Sequence, residues 1–322
     1  MRSLQLVLFL ASALNVGVVG YEPMTIPADN PVTVGKVALG RQLFFDKRMS
    51  GNQTIACASC HIPRYGLTQG PKPAKGAYDD TGDTACPSLI NVGHQQHFFW
   101  EGSADRLEDA VRGVWMFMLV QPKPGRPTPA DIAARINSVP EYRTAFEREL
   151  GAPASPALMA KALATFLRTL DSNGSPWMRF YRGHDSHAMS AAARRGYALF
   201  DGKAACSNCH SGVLLTDLQF HNVGVEPAAD ARSGITKNER DRGAWKTPSL
   251  LNVARTAPYF HNHSVKTLEA AVDQMLGGGI DNPNIDRANL KPVQLSPAEK
   301  RDLLAFLRSL NTDTTLGPPK LP

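Results

Sequence analysis

The sequence predicts a mainly α-helical protein made of two tandem helical domains of similar design. Three observations predict this fold: a length of 322 residues, a cysteine–histidine motif that occurs twice, and matching segments in the two halves of the chain. We place the domains at residues 21–175 and 176–322, because residues 171–190 are polar and carry glycines, as domain linkers often do.

The first twenty residues have the pattern of a targeting segment. One early positive charge, Arg2, precedes a long apolar run that ends in small residues at 18–20. This pattern predicts a signal peptide at residues 1–20, with an uncleaved membrane anchor as the alternative, because the apolar run approaches spanning length. No later segment is apolar over such a length. We therefore expect an exported, periplasmic protein without a stable membrane span.

The repeated motif, C-x-x-C-H, lies at residues 57–61 (CASCH) and 206–210 (CSNCH). The spacing is the attachment signature of a c-type haem, in which two thiols bond to the porphyrin and the adjacent histidine binds the iron. We expect two covalently bound haems c, and each domain should be cytochrome c-like. The predicted attachment residues are Cys57, Cys60, Cys206 and Cys209, and the predicted proximal iron ligands are His61 and His210.

The remaining cysteine, Cys86, has no cysteine left to pair with, so no disulfide framework is expected. It precedes an apolar, strand-like run, and we interpret it as a small buried residue. The net charge of +6 becomes +5 without Arg2, and four haem propionates would lower it to about +1. The high isoelectric point is therefore no argument for a nucleic-acid partner.

The second half of the chain repeats the first with an offset of 161 residues. The segment PSLINV at 87–92 returns as PSLLNV at 248–253, and Leu107 and Glu108 match Leu268 and Glu269. Each half reads as helix, haem motif, loop, this segment, helix and closing helix. The last closing helix begins with a predicted capping box at residues 296–299.

The repeat makes the two predicted haems unequal. The same alignment places Val114 opposite Met275, and Trp100 opposite His261. A methionine thioether is a common sixth ligand opposite histidine and raises the haem potential, whereas valine cannot bind iron. We predict a saturated haem in the second half and an open haem in the first. The side chains that could still close the open face are Tyr78, His94 and His97.

Several long motifs together resemble the bacterial di-haem cytochrome c peroxidase family, which includes MauG. They include LGRQLFFDKRMSGNQTIACASCH, FFWEG, KTPSLLNV and TAPYFHNHSVKTLEAAV, and they cover nearly the whole mature chain. The resemblance implies haems near the domain interface, a low-potential peroxidatic haem in the N-terminal domain and a high-potential electron-transfer haem in the C-terminal one. It also implies that Trp100 relays electrons between them. Met275 lies where peroxidases carry the methionine ligand and MauG-like members carry tyrosine.

Three departures from the family pattern bear on activity. Residues 62–86 contain no histidine that could close the resting site, which resembles MauG. Residues 110–130 contain no Asp, Glu or His, although splitting the O–O bond needs a positioned acid–base group. Gln121 is the nearest distal polar substitute, and Arg112 and Arg126 are others.

The third departure concerns the interdomain calcium ion that the resemblance implies. Ala85 replaces the family's asparagine ligand, although Thr256 and Pro258 could still offer backbone carbonyls. Calcium is therefore left open.

The leading hypothesis is an exported di-haem c-type oxidoreductase that reduces hydrogen peroxide to water. Its electrons would come from a small donor protein of the cytochrome c or cupredoxin type. Two alternatives stay open: MauG-like oxidation of a partner protein by high-valent iron, and a non-catalytic di-haem electron carrier or sensor. The sequence leaves homodimer formation undecided.

Overall fold

The computed structural model describes residues 24–322 except 80, 83, 227 and 313–315. The predicted signal peptide lies outside the described residues. Within the part that is described, no helix is both long enough and apolar enough to cross a membrane. Over these residues the structure is mainly helical, with one two-stranded antiparallel ribbon.

In the first half, α1 runs from Val34 to Phe45 and leads through a short 3-10 turn into the first haem motif, whose cysteines lie on α2 (Cys57–Cys60). The helix after the P-S-L segment is α3 (Leu107–Val114), which continues directly as a π-helix, Trp115–Val120. Three further helices complete this half: α4 (Pro129–Asn137), α5 (Pro140–Leu150) and α6 (Pro156–Leu167).

The second half follows the same order. Helix α7 (Pro176–Tyr181) and helix α8 (Ala191–Asp201) precede the second haem motif, and α9 (Ser233–Thr236) lies in the long loop that follows it. Strands β1 (Phe220–His221) and β2 (Trp245–Lys246) pair within the same region. Helices α10 (Leu268–Leu276) and α11 (Pro297–Ser309) close the chain, and α11 begins with the predicted capping box.

Each half has its own hydrophobic core. One cluster of buried side chains runs from Leu39 to Leu170, and the other runs from Trp177 to Leu310. The main helix pair of the first core is α1 with α6, and that of the second is α8 with α11. The gap between the clusters agrees with the predicted boundary near residue 175, which stays a prediction.

A glycine lies at the point of closest approach in each main helix pair, α1 with α6 and α8 with α11. A Cβ on Gly40 would lie 2.0 Å from the carbonyl oxygen of Ala162, and one on Gly196 would lie 1.9 Å from that of Asp302. Because only glycine lets two backbones approach this closely, both crossings depend on it. The same device in both halves supports the duplication read from the sequence.

The structure also reproduces the offset of 161 residues. A 3-10 turn at Val92–His94 returns at Val253–Arg255, and each turn follows an asparagine with positive φ. The segment that the sequence suggested to be strand-like after Cys86 is therefore not a strand. The reason is that Pro87 and the left-handed Asn91 interrupt extended pairing, so the segment turns back onto the helices.

Candidate haem sites and the distal pocket

The two motif histidines have matching hydrogen bonds. The Nδ1 atom of His61 lies 2.8 Å from the carbonyl oxygen of Leu67, and the Nδ1 atom of His210 lies 3.0 Å from that of Leu215. A carbonyl oxygen can only accept a hydrogen bond, so Nδ1 must carry the hydrogen and Nε2 keeps the lone pair that iron requires. Burial lowers the pKa of both imidazoles, which favours the neutral, ligating form.

The attachment cysteines lie in partly buried positions beside these histidines. Burial raises the pKa of Cys57 and of Cys206 to about 12. Cys86 is half-buried rather than fully buried, and a hydrogen bond with Cys60, together with burial, raises the pKa of its thiol. Paired thiols next to a histidine oriented through Nδ1 form a donor set that fits a c-type haem in each half.

The two predicted sixth positions lie on corresponding helices. Met275 is on α10, four residues after the buried Ala271 and seven after the buried Leu268, so it shares their helix face. Val114 ends α3 seven residues after the buried Leu107. The structure thus keeps the correspondence between methionine and valine that the sequence predicted, and the ligand role of Met275 stays a prediction.

The π-helix that follows Val114 shapes the predicted distal side of the first haem. Two of its backbone carbonyls bind other segments. The Met118 carbonyl accepts a hydrogen bond from the Ala77 N–H at 2.8 Å, and the Leu119 carbonyl accepts one from the Gly51 N–H at 2.8 Å. The π-helix ends at Val120 and is capped by Gln121, which has a positive φ of 47°. Segments that carry single π-turns are often functional, because they move side chains off the α-helical register.

Gln121, the predicted distal polar group, is buried beside loop 76–78. Its Oε1 atom accepts a hydrogen bond from the Tyr78 N–H at 2.8 Å, and a Cβ on Gly76 would lie 2.6 Å from its Nε2 atom. Arg126 donates to its backbone carbonyl at 3.1 Å and lies 3.8 Å from the centroid of the Tyr78 ring. These contacts give Gln121 a structural role, and its distal role stays a prediction.

Glu108, a buried carboxylate close in sequence to this pocket, is engaged elsewhere. It is buried on α3, where both its oxygens accept from the Arg168 guanidinium at 2.7 and 3.1 Å, and Asn30 donates to it at 2.7 Å. Burial alone would raise its pKa, but the bonds from Arg168 and Asn30 outweigh burial and lower it. Sequence reasoning missed this pair, although the repeat carries its counterpart, Glu269 with Arg308.

The other predicted candidates are dispersed. His97 pairs with Asp105 at 2.6 Å near the surface, and Arg112 lies 3.4 Å from Asp109 on the exposed side of α3. His94 lines an interdomain cavity of about 780 Å³ together with residues 211–214, which follow the second haem motif. The structure does not gather these side chains into one pocket.

Trp100 lies between the two halves. Its indole N–H donates to the carbonyl of Ala85 at 2.8 Å, and its own carbonyl accepts from the Lys246 N–H at 2.9 Å. The Ala85 N–H donates to the carbonyl of His261 at 2.6 Å. Trp100 is thus hydrogen-bonded to both domains, as a residue between them should be, and its relay role stays a prediction.

The predicted calcium carbonyls lie on the segment after the second P-S-L sequence. The Thr256 hydroxyl donates to the Val253 carbonyl at 3.0 Å, and a Cβ on Gly66 would lie 2.9 Å from the Thr256 methyl group. This segment therefore contacts the first haem loop across the domain interface. The calcium ligands Thr256 and Pro258 stay predictions.

Comparison with known proteins identifies the family. The family profile "Di-haem cytochrome c peroxidase" matches residues 35–186, and a cytochrome c profile matches residues 193–311. The chain is 36% identical to the methylamine utilization protein MauG of Methylorubrum extorquens, over 94% of this chain and 85% of the relative. It is 35% identical to the cytochrome-c peroxidase IdrP1 of Denitromonas iodatirespirans, over 93% and 88%.

The fold comparison agrees with the profiles. A crystal structure of a MauG-like protein associated with microbial copper homeostasis matches with a TM-score of 0.82 and 30% identity, and covers 93% of this chain and 95% of that one. Two c-type haems follow from the family and from the two donor sets. The chain belongs to the di-haem cytochrome c peroxidase and MauG family, whose members are peroxidase-like oxidoreductases.

Proposed function

We propose that this protein reduces hydrogen peroxide to water, using electrons from a small periplasmic redox protein of the cytochrome c or cupredoxin type. The observation that carries the proposal is the difference between Val114 and Met275 at corresponding positions of α3 and α10. When bound, the two haems supply electron storage at one site and peroxide reduction at the other. Residues of the chain determine which haem stores electrons and which one reduces peroxide.

Residues of the chain set these two roles. His61 and His210 would bind the haem irons through Nε2, because a backbone carbonyl holds each Nδ1–H. Met275 would be the sixth ligand of the C-terminal haem, and a thioether there would raise the haem potential, which suits an electron donor. Val114 leaves the N-terminal site open to a small oxidant. Trp100, bonded to both domains, connects the two sites.

Proton handling limits the proposed reaction. Reducing one peroxide needs two electrons and two protons, and a positioned acid–base group contributes about 10²–10⁴-fold to such a step. Glu108 is held by Arg168, and Gln121 is held by the Tyr78 backbone. We therefore infer a slow peroxidase whose protons come from solvent.

The test is peroxide-dependent oxidation of a reduced donor by the holoprotein. Stopped-flow mixing should show two donor molecules oxidised per peroxide consumed, with the first haem high-spin and the second low-spin at rest. Two low-spin haems in the resting ferric protein would contradict the open site. Peroxide consumption without donor oxidation would contradict the peroxidase assignment.

MauG-like oxidation of a partner protein is the second candidate. It is supported by the absence of histidine in residues 62–86 and by the 36% identity to MauG. Met275 weighs against it, because MauG-like members carry tyrosine at that position. A protein substrate oxidised by peroxide in the absence of any donor would favour this candidate. A non-catalytic carrier would do neither reaction.

The proposal also includes export to the periplasm, an interdomain calcium ion and formation of a homodimer. Residues 1–20 support export, because they have the pattern of a signal peptide. Because Ala85 stands where the family has an asparagine, a calcium ion would depend on the backbone carbonyls of Thr256 and Pro258. Metal analysis of the purified holoprotein, before and after treatment with a chelator, tests calcium, and sedimentation tests the dimer.

A further inference from the structure

Three rings form a row across the interface between the halves. The centroid of the Trp100 indole lies 6.3 Å from that of the His261 imidazole at 66°, and His261 stacks on Trp245 at 3.8 Å and 20°. His261 is only 3% exposed to solvent, and the two indoles are half-buried. We call Trp100, His261 and Trp245 the interface ring array.

One end of the array reaches the first haem motif. The Trp100 indole N–H donates to the Ala85 carbonyl at 2.8 Å, and the next residue, Cys86, packs together with Cys60 against the hydrophobic core of the first half. The Ala85 N–H also donates to the His261 carbonyl at 2.6 Å. Ala85 therefore links two members of the array to the segment whose next residue, Cys86, shares a core with Cys60.

The other end reaches the second haem motif. Trp245 pairs with His221 across the β1–β2 ribbon, and directly opposed residues carry their side chains on the same face, with Cβ atoms about 4.5–5.5 Å apart. A nitrogen of the His221 ring lies within 4.8 Å of the Cys209 sulfur. Trp245 is thus one cross-strand contact away from the second haem attachment.

Trp245 has one polar atom that needs a partner. Its indole N–H is buried and finds no acceptor in the part of the chain that the structure describes. A buried N–H without an acceptor is costly, and such groups in native proteins almost always have a partner. Beside the attachment site of a c-type haem, a propionate carboxylate is an acceptor of the right kind.

We propose that the interface ring array is the electron path between the two haem domains, with the Trp245 N–H bonded to a propionate of the C-terminal haem. The inference rests on the proposed function only in needing electrons to move between the haems. With both haems bound, one electron would pass from the C-terminal site to Trp245, through the stacked His261 to Trp100, and from Trp100 to the N-terminal site. The donor protein would replace the electron that the C-terminal site gives up. The indole N–H protons stay on their nitrogens.

The surroundings of the array hold it rigid. The Lys246 ammonium donates to the Gln95 side chain and to the His97 carbonyl, and the Arg232 guanidinium donates to the carbonyls of Glu101 and Gly102 at 3.0 and 2.9 Å. The second half therefore holds residues 95–102 in several places. A rigid array keeps the ring distances that electron transfer between them requires.

The test is the rate of electron equilibration between the haems, followed optically in the holoprotein after a photoreductant injects one electron. Trp245→Phe and His261→Leu should each slow it by about tenfold or more, which corresponds to about 1.4 kcal/mol of barrier. The matched control is Trp177→Phe, a buried indole of the C-terminal core that lies outside the array and should leave the rate unchanged. Haem content and circular dichroism confirm that each variant is loaded and folded.

Ultraviolet resonance Raman difference spectra of the wild type and Trp245→Phe give a second readout. They should show the band of a hydrogen-bonded indole N–H for Trp245. Unchanged rates in both Trp245→Phe and His261→Leu, with a slower rate in Trp100→Phe, would overturn the array and leave Trp100 as the relay by itself. If the array variants slow equilibration but peroxide oxidises no donor, the proposed function fails and the array stands.

Discussion

The two haem-binding halves share one plan, and they differ most in the helix that follows the P-S-L segment. In the second half, α10 ends at Leu276 and is followed by three glycines, with Met275 in its last turn. In the first half, α3 carries Val114 at the corresponding place and runs on as a π-helix to Val120. The proximal sides, by contrast, keep the same histidine-to-carbonyl bond. Duplication has preserved the histidine of the motif with its carbonyl bond, and it has changed the residue at the predicted sixth position.

The same comparison holds for an ion pair that occurs in both halves of the repeat. Glu108 pairs with Arg168 in the first half, and Glu269 pairs with Arg308 in the second. The side chains of the first pair are 8% and 4% exposed, whereas those of the second are 45% and 55% exposed. We therefore expect removal of one partner to cost more in the first half, because solvent screens the exposed pair and leaves the buried one unscreened.

Exchanging the sixth-position residues should have the largest effect, because coordination is gained or lost as a whole. Met275→Leu removes the thioether at nearly constant volume, so the second haem should become high-spin and its potential should fall. Val114→Met should convert the first haem to low-spin and stop its reaction with peroxide. Electron paramagnetic resonance of the ferric protein measures both changes.

Val114→Leu is the matched control for this exchange, since it adds bulk without sulfur and should leave the first haem high-spin. An unchanged low-spin signal in Met275→Leu would show that the methionine only fills the core.

Removing the charge of the glutamate in each ion pair should separate the two halves energetically. Glu108→Gln leaves the buried Arg168 without its counter-ion, so we expect a loss of about 3–5 kcal/mol in the free energy of unfolding. Glu269→Gln acts on an exposed pair and should cost about 0–1 kcal/mol. Urea unfolding of the holoprotein, followed by circular dichroism, measures both. Equal losses would mean that burial does not decide the strength of this pair.

The sequence predicted the parts of this protein that a local pattern encodes. The C-x-x-C-H motifs, the offset of 161 residues and the match of Val114 with Met275 all depend on spacing, and the structure keeps that spacing. The Glu108–Arg168 pair and the stacking of His261 on Trp245 depend on contacts between distant residues. No periodicity encodes such contacts, so they became visible only when the chain was folded.

Substitutions at Gln121 should have a smaller effect and should test its two roles. Gln121→Ala leaves the Tyr78 N–H without its acceptor, at a cost of about 1–3 kcal/mol in the free energy of unfolding. Gln121→Glu keeps an acceptor oxygen and adds an acid to a pocket whose segment 110–130 has none. If Gln121 is structural, Gln121→Glu should leave the rate of reaction with peroxide nearly unchanged in stopped-flow mixing. A large rise would instead place position 121 within proton-transfer distance of bound peroxide.

Acid should act on the first half through Glu108. Its pKa lies below the ordinary value of 4.5, because the bonds from Arg168 and Asn30 outweigh the opposing effect of burial. A lowered pKa means that the ion pair stabilises the fold above pH 4.5, and that this contribution is lost as the pH falls through the folded-state pKa. The unfolding free energy of the wild type should therefore fall more between pH 7 and pH 3 than that of Glu108→Gln, which urea unfolding at each pH measures. Parallel declines in the two proteins would show that other carboxylates govern the acid response and that the buried pair contributes no pH dependence.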